Sequence, residues 1–349
     1  MAIRHILSID GGGVRGIVSS IVLDALDAEF KAIGKTCGVA DCFDLITGTS
    51  SGAIVAAGLA MPRPDNSKTS ANPGEIRQLF EKNARRIFPR RFFNEIPIIG
   101  RLPQLFGPLY RPDGLAAVLK EQVGDQTFSA ARRNLMITAY SIDPRDIVLF
   151  RGGPAYADRE EATRFGPVRV RDAIMGSSAA PTFLPPHRIE KPGGPDENGK
   201  THWTAIDGGI FLNDPAMAAV TEAIRLFPGD DFRVISLGAG RETRQYPFAR
   251  SRNWGFSQWI SPTGRFRTPL LSAIADGQVR AVNRQLHYLL GEDYYRFDYR
   301  LERGRGSDRL DDSSRKNISR LTRGTLEMIE EMRPKLRQLA ELLDVTDHA

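Results

Sequence analysis

A serine between two glycines is the first candidate for chemistry in this sequence. The run GTSSG at residues 48–52 has the spacing G-x-S-x-G, and it lies between an apolar run and a stretch of small residues. A strand, a sharp turn and a helix in that order form a nucleophile elbow, where the helix dipole favours developing negative charge. Bulk on either side of the serine would clash with the approaching helix. We therefore predict Ser50 as a nucleophile and Gly48 and Gly52 as parts of its turn.

The best candidate for the base that a serine nucleophile needs is an aspartate. Asp207 ends an apolar run in "WTAIDGGIFLNDP" and is followed by Gly208 and Gly209, so its carboxylate is expected where a strand becomes a tight turn. Partial burial there would raise the carboxyl pKa towards the working pH. Among the five histidines, His202 flanks a strand and His187 follows two prolines. Both are more typical of solvated loops. An Asp-Gly turn that only caps the next element is the alternative.

A glycine cluster near the N-terminus could bind an anion through its backbone N–H groups. In "SIDGGGVRG", Gly11 to Gly16 match G-x-G-x-x-G. That spacing can hold a dinucleotide pyrophosphate, but the same amides could hold the oxyanion of ester hydrolysis. A dinucleotide site needs an acidic residue about 20 residues further on, at the end of a second strand. Glu29 is near that distance but falls in a helical pattern, and Asp10 and Arg15 are unusual in a pyrophosphate site. The oxyanion interpretation is favoured.

The three blocks together resemble the motifs of the patatin-like phospholipases. They occur in the family's order, as DGGGVRG at 10–16, GTSSG at 48–52 and DGG at 207–209. "AIMGSSAAPTFLPP" at 173–186 is similar to the family's A-x-x-A-S-S-A-A-P-x-x-F region, and "VISLGAG" to its S-L-G-T-G strand. The motifs span about residues 6–240. Two positions depart from many members: Ser51 stands where threonine or glycine is frequent, and Gly209 where alanine is common.

The resemblance implies a Ser–Asp dyad, with Ser50 as nucleophile and Asp207 as its base, that cleaves acyl esters of membrane glycerophospholipids through an acyl-enzyme. It implies an oxyanion hole made by the N–H groups of Gly12 and Gly13. Arg15 would add positive charge near the leaving headgroup or fix the loop. The other implied site residues are the remaining glycines of the three blocks: Gly11, Gly16, Gly48, Gly52, Gly208 and Gly209. This chemistry requires no metal and no organic cofactor.

Alternating strand-like and helix-like patterns must position these residues. We predict strands at 3–9, 43–47, 134–140, 146–150 and 232–237, helices at about 16–30 and 52–60, and a surface loop at 188–202. The alternation predicts an α/β protein. With the resemblance it predicts a three-layer α/β/α patatin-like fold, with a mostly parallel sheet, the nucleophile elbow and helical decoration.

One domain is expected over residues 1–349, with a motif core at about 3–240 and a helical C-terminal extension at about 250–346. An apolar stripe follows helical spacing in the tail: Ile318, Leu321, Met328, Met332, Leu336 and Leu339. It is expected to pack on the chain's own sheet, and the alternative is pairing in a homodimer. Pro334 should kink or divide this helix.

The composition of the chain indicates where in the cell the protein is expected and which classes of partner are excluded. No run approaches the ~20 apolar residues that cross a bilayer, and no export signal opens the chain. The two cysteines, Cys37 and Cys42, lack the partners of a structural zinc site, so a cytoplasmic location is expected. The net charge is +6, but no nucleic-acid-binding motif accompanies it, which argues against a nucleic acid polymer as partner.

The sequence leaves three questions of function open. Residues 84–111 carry six arginines against one acid, Glu95, and suit peripheral contact with an anionic membrane or a lid on the core. A cyclic nucleotide activator is the alternative regulation, because the chain resembles the soluble bacterial phospholipase effectors of anti-phage defence. A catalytically silent lipid-binding protein is the third class, which the intact blocks disfavour.

Overall fold

The computed structural model of the chain describes residues 2–65, 69–89, 107–260, 269–302 and 305–343. Its strands are β1 (Ile3–Ile9), β2 (Leu45–Gly48), β3 (Leu135–Ser141), β4 (Asp146–Gly152), β5 (His187–Glu190), β6 (His202–Asp207), β7 (Asp231–Leu237), β8 (Arg241–Glu242), β9 (Tyr294–Phe297) and β10 (Arg300–Leu301). Its α-helices are α1 (Gly16–Ala32), α2 (Ser51–Ala60), α3 (Pro73–Ile87), α4 (Asp113–Val123), α5 (Glu160–Arg164), α6 (Val170–Ser177), α7 (Ala216–Leu226), α8 (Phe248–Ser251), α9 (Phe256–Ile260), α10 (Pro269–Leu290) and α11 (Arg315–Leu342).

The predicted strands and helices of the first 240 residues fall on observed elements, with ends that differ by at most two residues. The loop predicted at 188–202 is wrong at its ends. β5 and β6 pair as an antiparallel hairpin, and Ile189 and Trp203 are buried in it, so only 191–201 connect the strands. Its Pro, Gly and charged residues obscured the short strands on either side.

Side chains of the central strands alternate between two apolar clusters on opposite faces of the sheet, as a period of two requires. Leu7 and Ile46 belong to the cluster formed with α1, α2, α3 and α11. Ile6 and Leu45, their direct neighbours, belong to the cluster formed with α7 and α10. Helices therefore cover both faces, and the predicted three-layer α/β/α fold is confirmed.

The main sheet is mixed, with a parallel centre. Its order is β5-β6-β3-β2-β1-β7-β9, and β4 also pairs with β3. The pairs that join β3, β2, β1, β7 and β9 are parallel, whereas β4 and β6 run antiparallel to β3. The carboxyl ends of β1, β2 and β7 therefore lie at one edge of the sheet, where loops of an α/β fold usually form the site.

Strand β3 explains how two distant motifs meet. β4 pairs with it from Leu135 to Ser141 and fills one of its edges. On the other edge β2 pairs with β3 up to Ile137, and β6 arrives from the opposite direction and ends at Ala139. β2 and β6 are thus placed end to end along one neighbour, with their carboxyl ends facing each other across Thr138. The residues that follow β2 and those that follow β6 must come together there.

The C-terminal extension is not purely helical. β9 joins the main sheet next to β7, and β10 pairs with β8. The apolar stripe of the tail is buried, since Leu321, Leu336 and Leu339 belong to the cluster that contains α1. Its main partner is helix α1, so the prediction that it packs directly on the sheet is wrong. Pro334 lies inside a continuous α11. Its missing N–H removes one helical hydrogen bond, and packing on α1 holds the helix together across it.

Most of the basic segment predicted at 84–111 lies outside the described residues, which exclude 90–106. Its described ends are the last turn of α3 and the approach to α4. In the part of the chain that the structure describes, no helix is both long and apolar enough to span a bilayer.

Candidate active site

Ser50 lies on a strained turn between β2 and α2. Its φ is 54° and its ψ is −120°, a backbone conformation that L-residues rarely adopt. The flanking glycines are required by close approach: a Cβ on Gly48 would lie 2.2 Å from the Gly52 oxygen, and one on Gly52 would lie 2.2 Å from the Ile9 oxygen. The Ser50 N–H donates to Ser177 Oγ at 2.8 Å. The elbow geometry is the one that the G-x-S-x-G spacing predicts.

The Asp207 carboxylate meets the Ser50 hydroxyl at the junction made by β2 and β6. The Ser50 hydroxyl lies close enough to the Asp207 carboxyl to lower its pKa as a hydrogen-bond donor would, and Asp207 Oδ1 accepts from the Gly209 N–H at 2.7 Å. Both residues are 8% exposed. Burial raises the pKa of the Asp207 carboxyl to about 7, against the lowering effect of its hydrogen bonds from Gly209 and Ser50. A group with that pKa can exchange a proton near neutral pH.

Two threonines tie the elbow to the loop that carries Asp207. Thr49 Oγ1 donates to the Leu212 carbonyl at 2.6 Å and lies 2.7 Å from Thr138 Oγ1. Thr138 is also the residue against which Gly208 packs, because a Cβ there would lie 2.3 Å from Thr138 Oγ1. The contacts fix the distance between the two motifs through β3.

The glycine loop 11–13 follows β1 and is held from three sides. The Gly11 N–H donates to the Asn213 carbonyl at 3.0 Å, and the Gly12 N–H donates to Ser51 Oγ at 3.0 Å. Gly13 has φ +58°, and a Cβ on it would lie 2.3 Å from the Leu310 oxygen. No acceptor within the described residues takes the Gly13 N–H. Of the two amides predicted for an oxyanion hole, one is therefore occupied by a side chain.

Arg15 is turned towards backbone carbonyls. The side chain is buried, its Nε donates to the Gly12 carbonyl at 3.4 Å, and one terminal nitrogen donates to the Gly240 carbonyl at 3.2 Å. Glu242 lies 3.9 Å from the same nitrogen. Between the two roles predicted for Arg15, these contacts favour fixing the loop. Gly16 begins α1, where a Cβ would lie 2.7 Å from the ring of Phe80.

His202, His187 and the alternative acidic residue have other partners. His202 begins β6, so it is separated from Asp207 by the length of that strand, and its ring contacts Thr201. His187 Nε2 lies 3.4 Å from Asp172. Glu29 is inside α1 and forms an ion pair with Arg333, which removes the acidic residue that a dinucleotide site would need. Nor does any group of three or more His, Cys, Asp or Glu in the described ranges suit a metal ion.

Comparison with known proteins now decides the family. The family model described as patatin-like phospholipase matches residues 7–220. The chain belongs to the patatin-like phospholipases.

Plant members of the family are similar to this phospholipase over most of its length. Patatin-like protein 2 of Oryza sativa subsp. indica is 28% identical over 346 residues, covering 91% of this chain and 82% of its own. Patatin-04/09 of Solanum tuberosum is 26% identical, with 90% and 81% covered. The crystal structure of VipD from Legionella pneumophila covers 95% of this chain and 67% of its own at 13% identity, with a TM-score of 0.42. The family membership makes the chain an acyl ester hydrolase that acts on lipids.

The sequence analysis did not predict a buried arginine that contacts the start of the glycine loop. Arg296 on β9 donates to both Asp10 oxygens, at 2.9 and 2.6 Å, to Asp214 at 3.3 Å and to Asp298 at 3.1 Å. Asp10 begins the glycine loop, and Asp214 ends the loop that carries Asp207. Burial raises the pKa of Asp10 well above its ordinary value, an effect that Arg296 opposes. The cluster joins the end of β1, strand β9 and the loop that follows β6.

Other residues missed from the sequence are contacts of motif residues. Asn213 supplies the carbonyl that fixes Gly11, and Ser177 supplies the hydroxyl that fixes Ser50. Ser177 lies within the stretch 173–186 that resembles a family motif, and Asn213 follows the DGG block by four residues, so their neighbourhood was a usable signal. Arg296 had no such signal, because nothing in its local sequence marks it as the partner of Asp10.

We predict that Arg296→Met lowers the free energy of unfolding at pH 7.5 by about 3–5 kcal/mol, because it leaves buried carboxylates without their cation. Arg241→Met is the matched control. Arg241 also contacts Asp298, at 3.6 Å, but its side chain is 47% exposed, so we expect a loss below about 1 kcal/mol. Urea denaturation of the three proteins measures both values. Equal losses in the two variants would contradict a special role for the buried pair.

Proposed function

We propose that this phospholipase cleaves acyl ester bonds of membrane glycerophospholipids with a dyad of Ser50 and Asp207. The observation that carries the proposal is the approach of the Ser50 hydroxyl to a buried carboxyl, whose pKa is about 7 and is lowered by that hydroxyl. A serine needs a base with direct access to its hydroxyl, and within the described residues Asp207 meets that need.

The proposed reaction has two acyl-transfer steps. Asp207 takes the Ser50 proton while Ser50 Oγ bonds to the ester carbonyl carbon. The tetrahedral intermediate then collapses: its bond to the leaving oxygen breaks, and the protonated Asp207 gives its proton to the departing alkoxide. The lysophospholipid leaves and an acyl-enzyme remains. Water then attacks the acyl-enzyme, gives its proton to Asp207, and the fatty acid leaves as Ser50 recovers its hydrogen. Atoms balance without a metal or a cofactor.

We propose the glycine loop as the site of the oxyanion. Within the described part of the chain the Gly13 N–H has no acceptor, and the Gly12 N–H would exchange its bond with Ser51 for one with the substrate. Removing one oxyanion-hole donor typically costs ~3 kcal/mol of barrier, so a hydroxyl that competes for Gly12 matters to the rate. The N-terminus of α2 would favour the same negative charge.

The dyad predicts a pH profile with one limb, on the acidic side. The catalytic form needs an ionised Asp207, so kcat/KM should fall about tenfold per pH unit below about 7 and level off above it. Hydrolysis of a soluble short-chain ester between pH 5 and 9 is the test. A profile that is flat through pH 7 would argue against Asp207 as the base, and it would point to a group that titrates elsewhere.

Location, activation and partners stay as predictions. A cytoplasmic enzyme that reaches the membrane only peripherally, and a monomer rather than a homodimer, would both suit the proposal. No contact in the described residues favours a cyclic nucleotide site, so that activation stays an alternative for a direct assay with and without cyclic nucleotides.

A further inference from the structure

An aromatic and basic surface lies outside every motif discussed above. Residues 243–260 contain five aromatic side chains, three arginines and no acidic residue, and two of the chain's three tryptophans fall there. Phe248 is 78% exposed and Phe256 is 80% exposed. Single exposed apolar side chains are ordinary on a protein, but clustered large ones with cations around them mark a contact surface.

The segment that contains the exposed phenylalanines also contains three aromatic rings that pack on one another. Trp254 packs edge-on against Tyr246, with ring centroids 5.4 Å apart, and against Trp259 at 5.1 Å. These three rings are half-buried, whereas Phe248, Phe256, Arg250 and Arg252 are exposed. We name residues 244–260, together with Leu270 and Ile274 on α10, the aromatic surface. Leu270 and Ile274 extend its apolar area, at 43% and 37% exposed.

The aromatic surface lies at the edge of the sheet that carries the candidate active site. The chain enters it from the carboxyl end of β7, beside the carboxyl ends of β1 and β2, and α9 packs on α10. In α10 the Gln278 side chain donates to the Ile210 carbonyl at 2.5 Å and accepts from the Asn213 N–H at 3.2 Å. Both partners belong to the loop that follows Asp207. One helix therefore connects the exposed rings to the loop of the proposed base.

We propose that the aromatic surface docks this phospholipase on an anionic phospholipid membrane. Trp and Phe side chains enter the interfacial layer of a bilayer, and arginines are attracted to anionic headgroups. The absence of acidic residues from 243–260 removes the repulsion that would oppose such contact. This inference rests on the proposed function, because an enzyme that cleaves lipids in a bilayer must bring its active site to the bilayer surface.

Co-sedimentation with vesicles of ether-linked phosphatidylcholine and phosphatidylglycerol in equal amounts tests the inference, since these lipids lack the ester that the enzyme would cleave. We expect Phe248→Ser with Phe256→Ser to weaken binding at least about tenfold, from the apolar area lost. The matched control is Tyr288→Ser with Leu289→Ser near the other end of α10, where the side chains are 75% and 65% exposed. It should bind like the wild type.

A second arm of the vesicle-binding experiment tests the arginines. Arg250→Glu with Arg252→Glu should weaken binding to the anionic vesicles several-fold and leave binding to pure phosphatidylcholine vesicles nearly unchanged, and added salt should reduce the difference. If the phenylalanine pair and the control bind equally well, the inference is wrong. It is also wrong if the phenylalanine pair converts a dimer to a monomer in light scattering without loss of vesicle binding, because the surface then belongs to a second copy.

Activity separates this inference from the proposed function. With ester-linked vesicles and a soluble short-chain ester, the phenylalanine pair should lower the ratio of the two hydrolysis rates. Vesicle binding that depends on Phe248 and Phe256 in a protein with no esterase activity would overturn the proposed function and leave the docking surface intact. Hydrolysis of vesicles that is indifferent to both phenylalanines would overturn the docking surface alone.

Discussion

Ser50→Ala should reduce ester hydrolysis by a factor of about 10⁴ or more, because the variant retains the proposed oxyanion donors but has no nucleophile. The substitution removes one hydroxyl, so the backbone contact to Ser177 is kept and the free energy of unfolding should change little. The measurement is the initial rate with phospholipid vesicles and with a soluble short-chain ester. Both rates should fall together, since both substrates use the same acyl transfer.

The control for this variant is Ser129→Ala. Ser129 is exposed and lies before the amino end of β3, away from the carboxyl edge of the sheet that holds the candidate site. It should hydrolyse both substrates at the wild-type rate. A Ser50→Ala protein that is folded and as active as this control would refute Ser50 as the nucleophile.

Asp207→Asn should reduce the rate by a factor of about 10³ to 10⁴, the range in which general base catalysis of a serine contributes. An asparagine can still accept the Gly209 N–H through its carbonyl oxygen, so the turn at residues 207–209 should persist. It has no lone pair basic enough to take the Ser50 proton. The measurement is kcat with the soluble ester, and the acidic limb of the pH profile near pH 7 should disappear with the carboxyl group.

The same substitution should make the protein more stable above neutral pH. The folded pKa of Asp207 is about 7, above the ~3.9 of an unfolded aspartate, so the folded protein binds the extra proton between these values. Its stability therefore falls as pH rises from about 4 to about 7, and the full cost of burying the carboxylate is present above pH 7. Asparagine carries no charge, so Asp207→Asn should gain up to about 4 kcal/mol at pH 8 and little at pH 4.

Asp196 provides a control of opposite sign. Hydrogen bonds from Lys191 and from backbone N–H groups lower the pKa of Asp196 to about 2, so its ionised form stabilises the folded protein at pH 8. Asp196→Asn should therefore lose stability at pH 8, where Asp207→Asn gains it. Thermal denaturation at pH 4 and pH 8 compares the two. If both variants lose stability at pH 8, burial of the ionised Asp207 carboxylate does not destabilise the folded protein.

The parts of the site that could be read from the sequence are those in which local backbone needs dictate residue type. Gly48 is required because a Cβ on it would lie 2.2 Å from the Gly52 oxygen, a contact within a turn of five residues. A strand–turn–helix pattern is local too, which is why the elbow could be placed from the order of residue types. Asp207 could also be predicted at a strand end, because an apolar run precedes it and two glycines follow it.

The parts that could not be read depend on pairing between distant segments. The sequence of β3 does not indicate that β2 and β6 pair with the same edge of it and meet at Thr138. The register of β2 and β6 on β3 nevertheless brings Ser50 to Asp207. Arg296 is 286 residues from Asp10, and its role as counterion follows only from the place of β9 beside β7. Ser51 was noted as a departure from the family, but its bond to the Gly12 N–H requires the folded loop.

Reaction with a fluorophosphonate probe measures most directly whether Ser50 is an activated nucleophile. The account predicts one adduct per chain, located on Ser50 by peptide mass spectrometry. Its rate of formation should rise with pH through about 7 in the wild type and be strongly reduced in Asp207→Asn. An adduct on another residue, or labelling of Ser50 that proceeds equally fast without the Asp207 carboxylate, would contradict the dyad.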